Sequence, residues 1–198
     1  MAWYVYVFSC VLGILLVSPT TEESLSYDIV WRKSSVGTLK VSKKNISSKI
    51  QYQSSTNIEF TFIKTFDINY EYDVVFDNNV LQKADVDINY NGKQHAQTQT
   101  QLKNGQYEVI KDGELETSFK ETVRYSTISM YFEEPVHLTR CYSEQEGGFN
   151  KIIALGDHKY RKINARGKES IFSYKNGVLE KAEIDGGIVS FDMVRKEN

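Results

Sequence analysis

Residue types able to do chemistry gather in one stretch of the chain, from Glu133 to Glu146. Cys141 with His137 would make a nucleophile and its base, since a thiolate needs a nearby base or cation to form at neutral pH. On a strand, however, that spacing separates the two side chains by about 13 Å along one face, so the pair requires a bend. The competing reading makes Cys141 a small buried hydrophobe. Glu133, Glu134, Glu144 and Glu146 could supply the general acid and base of a glycosidase, which needs two carboxyls at a set separation with one pKa raised by burial. Glutamates beside Pro135 and Gly147-Gly148 are more often solvated loop residues. A zinc site would have to gather His95, His137 and His158 from three distant segments. Gly-rich phosphate loops, nucleophile elbows, paired CxxC and HExxH are all missing from the sequence. The expectation is no catalytic residue, no metal and no cofactor, with a hydrolase confined to Glu133–Glu146 as the alternative.

The elements that would position these residues read as strands. Turn signals recur at short intervals: Asn91-Gly92, Asn104-Gly105, Asp112-Gly113 and Asn176-Gly177 suit positive φ, and Asp77-Asn78-Asn79 and Asp185-Gly186-Gly187 are looser versions. Between them, apolar and polar residues alternate. Tyr27, Ile29 and Trp31 share a face, as do Leu39 and Val41, then Ile58, Phe60 and Phe62, then Tyr70, Tyr72, Val74 and Phe76. The expected strands are Leu25–Arg32, Gly37–Lys43, Ile50–Gln53, Ile58–Asp67, Tyr70–Phe76, Val80–Tyr90, Gln94–Leu102 and Tyr107–Ile110. After these come Leu138–Tyr142, Asn150–Ala154, His158–Ile163, Glu169–Tyr174, Val178–Ile184 and Gly187–Val194. Gln94–Leu102 is almost wholly polar and is expected at an edge, or with water on both faces. Ser126 could cap a short helix carrying Ile128, Met130 and Tyr131, and Pro135 should end an element by forcing Glu134 out of the helical region. The fold class is therefore all-β: an antiparallel meander forming a strongly curved, barrel-like sheet with one short helix, the alternative being a β-sandwich.

Residues 1–21 carry no charged side chain and are nearly all apolar from Val5 to Val17, which is a signal-peptide profile with a cut expected between Ser18 and Ser24. The run is too short for a spanning helix, so no transmembrane helix is expected in the mature chain. Residues 25–198 read as one β domain. Lys+Arg 24 against Asp+Glu 26 gives a net charge of -2, which offers no electrostatic case for nucleic acid. Removal of Cys10 with the leader leaves Cys141 alone, so stability must come from the core and not from a disulfide. The chain holds 13 Tyr and 10 Phe, which could line a ligand cavity or simply fill a sheet core. Asn45-Ile46-Ser47 is a glycosylation sequon.

Tyr125-Ser126, then Met130-Tyr131-Phe132-Glu133-Glu134-Pro135, then Tyr142-Ser143-Glu144 followed by Gly147 form a spaced motif. With Tyr27-Asp28-Ile29, Val36-Gly37-Thr38-Leu39 and Tyr174 to Gly177, the sequence resembles an uncharacterised family of exported Bacteroidota proteins, the domain of unknown function numbered 6134. The resemblance implies export and a β-rich domain of this size. It implies no reaction and carries no functional residue. The motif candidates are Tyr131, Glu134, Pro135, Cys141, Ser143 and Glu144, which could form a ligand site or a structural corner whose carboxylates accept orphan backbone N–H groups; the corner is preferred. The expected role is that of a non-enzymatic, periplasmic or secreted protein that binds a hydrophobic small molecule or an envelope protein through its curved sheet.

Overall fold

A computed structural model describes residues 20–61, 65–185 and 190–197. The expected leader, apart from Thr20 and Thr21, lies outside the described residues, as do Phe62 and Gly186-Gly187. The strands are β1 (Thr21–Trp31), β2 (Ser34–Ile46), β3 (Lys49–Thr61), β4 (Thr65–Asp77), β5 (Val80–Tyr90), β6 (Lys93–Lys103), β7 (Gln106–Lys111) and β8 (Glu114–Phe119). A connector with a single 3-10 turn, Ile128–Tyr131, then leads to β9 (Arg140–Ser143), β10 (Gly148–Gly156), β11 (Lys159–Ile163), β12 (Glu169–Lys175), β13 (Val178–Asp185) and β14 (Ser190–Arg195).

All fourteen strands belong to one antiparallel sheet in the order β8-β7-β6-β5-β4-β3-β2-β1-β14-β13-β12-β11-β10-β9. Every neighbour is sequential except β1 and β14, which pair with Tyr27 opposite Arg195. The chain is thus two meanders joined at its first and last strands, and the sheet stays open between β8 and β9. A single continuous sheet replaces the stacked pair that a sandwich would need.

Turn chemistry explains the meander. Asn91-Gly92, Asn104-Gly105, Asp112-Gly113 and Asn176-Gly177 all have φ between 49° and 87°, the backbone of tight hairpins whose twist matches the strands. Asn78 and Asn79 do the same with φ of 48° and 59°. Two further hairpins use Arg32-Lys33, with no glycine in the turn, and Asp157-His158, which follows Gly156 with φ of 87°. The separate strands expected at Ile50–Gln53 and Ile58–Asp67 merge, since β3 runs unbroken from Lys49 to Thr61. Strand β8 had no counterpart in the sequence reading.

Alternate residues of each strand face a common interior. Tyr27, Leu39, Val41, Tyr52, Val74, Leu81, Phe172 and Leu179 are all buried there. The polar strand β6 is a correction: it lies inside the sheet between β5 and β7, not at an edge. Its Thr98 and Thr100 are buried because their hydroxyls find partners, Gln145 O at 2.9 Å and Tyr142 Oη at 2.7 Å. Those bonds also bridge the seam between β8 and β9, where Phe119 sits 5.7 Å from both Tyr142 and Phe149. Side chains close what the backbone ladder leaves open.

Candidate functional site

The connector between β8 and β9 enters the concavity of the sheet instead of crossing outside it. Val123, Ile128, Met130 and Phe132 are buried, Tyr131 sits 5.6 Å from the ring of Tyr27, and Phe132 sits 5.7 Å from that of Tyr52. Its entry runs along the free edge of β9: Tyr142 N–H donates to Tyr125 O and Thr127 N–H donates to Tyr142 O. Its exit is fixed by buried Pro135 and by the Glu134 N–H donating 3.0 Å to Gly177 O. The 3-10 turn is capped at Thr127, not at Ser126, and the buried Ser126 hydroxyl has no hydrogen-bond partner.

The β9–β10 hairpin carries Ser143 and Glu144 inward. Gly147 at its tip has φ of 63° and a Cβ there would stand 2.4 Å from Val109 Cγ1, so only glycine lets the tip seat against β7. Glu144 is fully buried; its Oε1 accepts the Ile128 N–H at 3.1 Å and its Oε2 has no partner. Loss of water raises its carboxyl pKa, and the nearby Ser126 hydroxyl, its own and the Ile128 N–H groups, and Lys162 pull the other way. Ser126 lies near enough to act on the carboxyl yet outside hydrogen-bonding geometry.

Below the hairpin opens a cavity of about 300 Å³. Its walls come from the concave face, where Ile29, Leu39, Ile58, Phe172, Phe191 and Met193 alternate with Ser54, Thr56 and Ser170, and its inner end from Tyr131, Ser143, Glu144 and Asn150. Asn150 is also buried, with its Oδ1 unpartnered. Glu146 shares this wall: its Oε1 accepts from Asn164 Nδ2 at 2.8 Å and its Oε2 is buried without a partner. Arg166 and Lys168 line the cavity from the β11–β12 loop.

The expected candidates therefore part company. Tyr131, Ser143 and Glu144 meet at the cavity. Glu134 faces away, accepting from the Tyr160 hydroxyl at 2.7 Å with His158 Nδ1 at 3.0 Å from both its oxygens, and Pro135 serves the backbone corner. Cys141 lies buried against Met130 Sδ at 3.9 Å, and burial pushes its thiol up to about 12. His137 is exposed on a turn with φ of 62° and shares no hydrogen bond with Cys141. No group of metal-ligating side chains forms among the described residues. No helix among them is long and apolar enough to cross a membrane.

The family model described as Domain of unknown function (DUF6134) matches residues 27–196, which spans the whole sheet and the motif around Glu134 and Glu144. The chain belongs to this family. In shape, the DUF6134 domain is similar to the crystal structure of a beta-barrel-like protein of domain of unknown function DUF1849 from Brucella abortus. The TM-score is 0.56 at 8% identity, and the match covers 89% of this chain and 95% of that one. At that identity the likeness shows the barrel-like fold alone. No curated protein matches the chain.

Sequence reasoning missed Asn150 and Lys162 at the cavity of this DUF6134 domain, whereas Tyr70 and Tyr72 stand on one of the aromatic faces read as a possible cavity lining. Only Asn150 left a trace: it occupies the same face of β10 as Ile152, a polar residue on a core-facing position.

Proposed function

We propose that the protein is an exported, non-enzymatic module that binds a small amphipathic molecule inside its curved sheet. The observation that carries this reading is the cavity of about 300 Å³ with mixed apolar and polar walls and a fully buried Glu144 at its inner end, one of whose oxygens has no hydrogen-bond partner. A core built for stability alone would fill such a space and pair such a carboxyl. Sites for small molecules combine apolar walls with placed polar groups, and here Ile29, Ile58, Phe172 and Met193 share the lining with Ser54, Thr56, Asn150 and Lys162, a mixture that suits a molecule with both apolar and polar parts. The hydrolase alternative draws no support: Cys141 is apart from any base, and Glu134 and Glu144 face different surroundings. Export rests on the charge-free apolar leader read from the sequence.

Native mass spectrometry of the protein purified from its own periplasm tests the reading. The expected result is a co-purifying small molecule that a cavity-filling Ser54→Phe variant releases. A bare chain in both preparations overturns it.

A further inference from the structure

The oxygen atoms left over at the inner end of the cavity specify the ligand further, given the binding reading above. Three buried polar atoms there have no hydrogen-bond partner: Glu144 Oε2, Glu146 Oε2 and Asn150 Oδ1. Glu144 and Asn150 are 0% and 2% exposed, and all three residues line the cavity. An unpaired buried acceptor costs its full desolvation, so three on one wall mark a place where donors are supplied from outside the chain. Their common chemistry is acceptance. Several polar groups of the site are already engaged, Glu144 Oε1 accepting from the Ile128 N–H, Glu146 Oε1 from Asn164 and Ser143 Oγ from the Glu146 N–H at 3.3 Å; the Ser126 hydroxyl beside Glu144 is the one buried in-chain donor near this wall that has no partner among the described residues. Of the cationic side chains, Lys162 on β11 lines the cavity and acts on Glu144 through its charge, while Arg166 and Lys168 stand on the β11–β12 loop, with Arg166 exposed to solvent and Glu144 sealed within.

We infer that the cavity takes an amphiphile inserted head first, whose buried end is a hydrogen-bond donor, an amine or a hydroxyl, held by Glu144 and Asn150 while its apolar body lies against Ile58, Phe172 and Met193. A carboxylate head is disfavoured in this orientation because it would bring acceptors to acceptors and a second negative charge to a buried carboxyl.

Octylamine, octanol and octanoate share one apolar body and differ only in the head, so titrating each into the purified protein by calorimetry near pH 8 reads the head preference directly. The amine and the alcohol are expected to bind, with octanoate at least about tenfold weaker. Glu144→Gln, which keeps the shape and removes the charge, is expected to weaken the amine about tenfold and the alcohol much less. Asn150→Leu is expected to weaken both. Octanoate binding as tightly as the amine, or Glu144→Gln leaving the amine unaffected, overturns this inference and leaves the binding reading standing. Binding of none of the three overturns both. The comparison among heads on the unmodified protein stands even where a variant fails to fold.

Discussion

Two regions of the same interior differ in how they treat buried polar atoms. Around the connector, the tyrosines at the centre of the packing are satisfied: Tyr27 donates to Leu179 O at 3.0 Å, Tyr107 to Leu81 O at 2.9 Å, and Tyr142 meets Thr100, whereas the hydroxyls of Ser126 and Tyr174 are left without partners. Around the cavity, Glu144, Glu146 and Asn150 each keep an idle oxygen. Each satisfied bond contributes roughly 1 kcal/mol and each orphan costs about as much or more, so the first region holds the fold and the second is subsidised by it.

Breaking the packed region should have the largest effect. Phe132→Ala removes a buried ring from against Tyr52 and is expected to cost about 3–5 kcal/mol, read as a fall in the urea midpoint. Tyr142→Phe strands the Thr100 hydroxyl and should cost about 1–2 kcal/mol by the same measurement. In the cavity the sign reverses. Because burial raises the Glu144 pKa, the native state holds that proton more tightly than the unfolded chain does. Stability should therefore fall as pH rises from the ordinary carboxyl value, about 4.3, until the raised native pKa is passed, and then level off. Glu144→Gln should flatten that fall and hold or raise the thermal midpoint near pH 8; a sharp loss would show the carboxylate to be structural instead. The smallest effect is expected outside both regions. His158→Ala, at a ring 71% exposed beside Glu134, should change stability by less than about 0.5 kcal/mol. Cys141 offers a probe of the packed side that needs no mutation: its alkylation should be slow in the native protein and rapid in urea.

The sequence told more about the sheet than about the site, for a physical reason. Hairpins and alternation are local, so Asn91-Gly92 and the Tyr70 to Phe76 face announce themselves. Arg32-Lys33 reaches the same positive φ without a glycine, and β8 shows four charged or polar residues with only Phe119 turned inward, so neither carried a signal. Strand β6 misled because Thr98 and Thr100 are buried by partners more than forty positions away in sequence, on the β9–β10 hairpin. The site mixes both kinds of information. Tyr131, Ser143 and Glu144 lie close in sequence and stood out as a motif, and the Tyr70-Tyr72 face was legible as aromatic alternation, while Lys162 and Asn150 reach the cavity only through the curvature of the sheet.

The pairing of β1 with β14 has a consequence for how this chain reaches its structure. Each meander can zip up from its own hairpins, but the contact that unites them brings together the two strands farthest apart in sequence. Non-local pairing of that kind is slow because the intervening chain must be ordered first. The cavity wall is assembled from both arms, Ile58 from one and Phe172 from the other, so the cavity is completed only at that last step. A pulse of hydrogen exchange during refolding should find β3–β4 and β12–β13 protected before β1 and β14, which makes the cavity the final part of the molecule to exist.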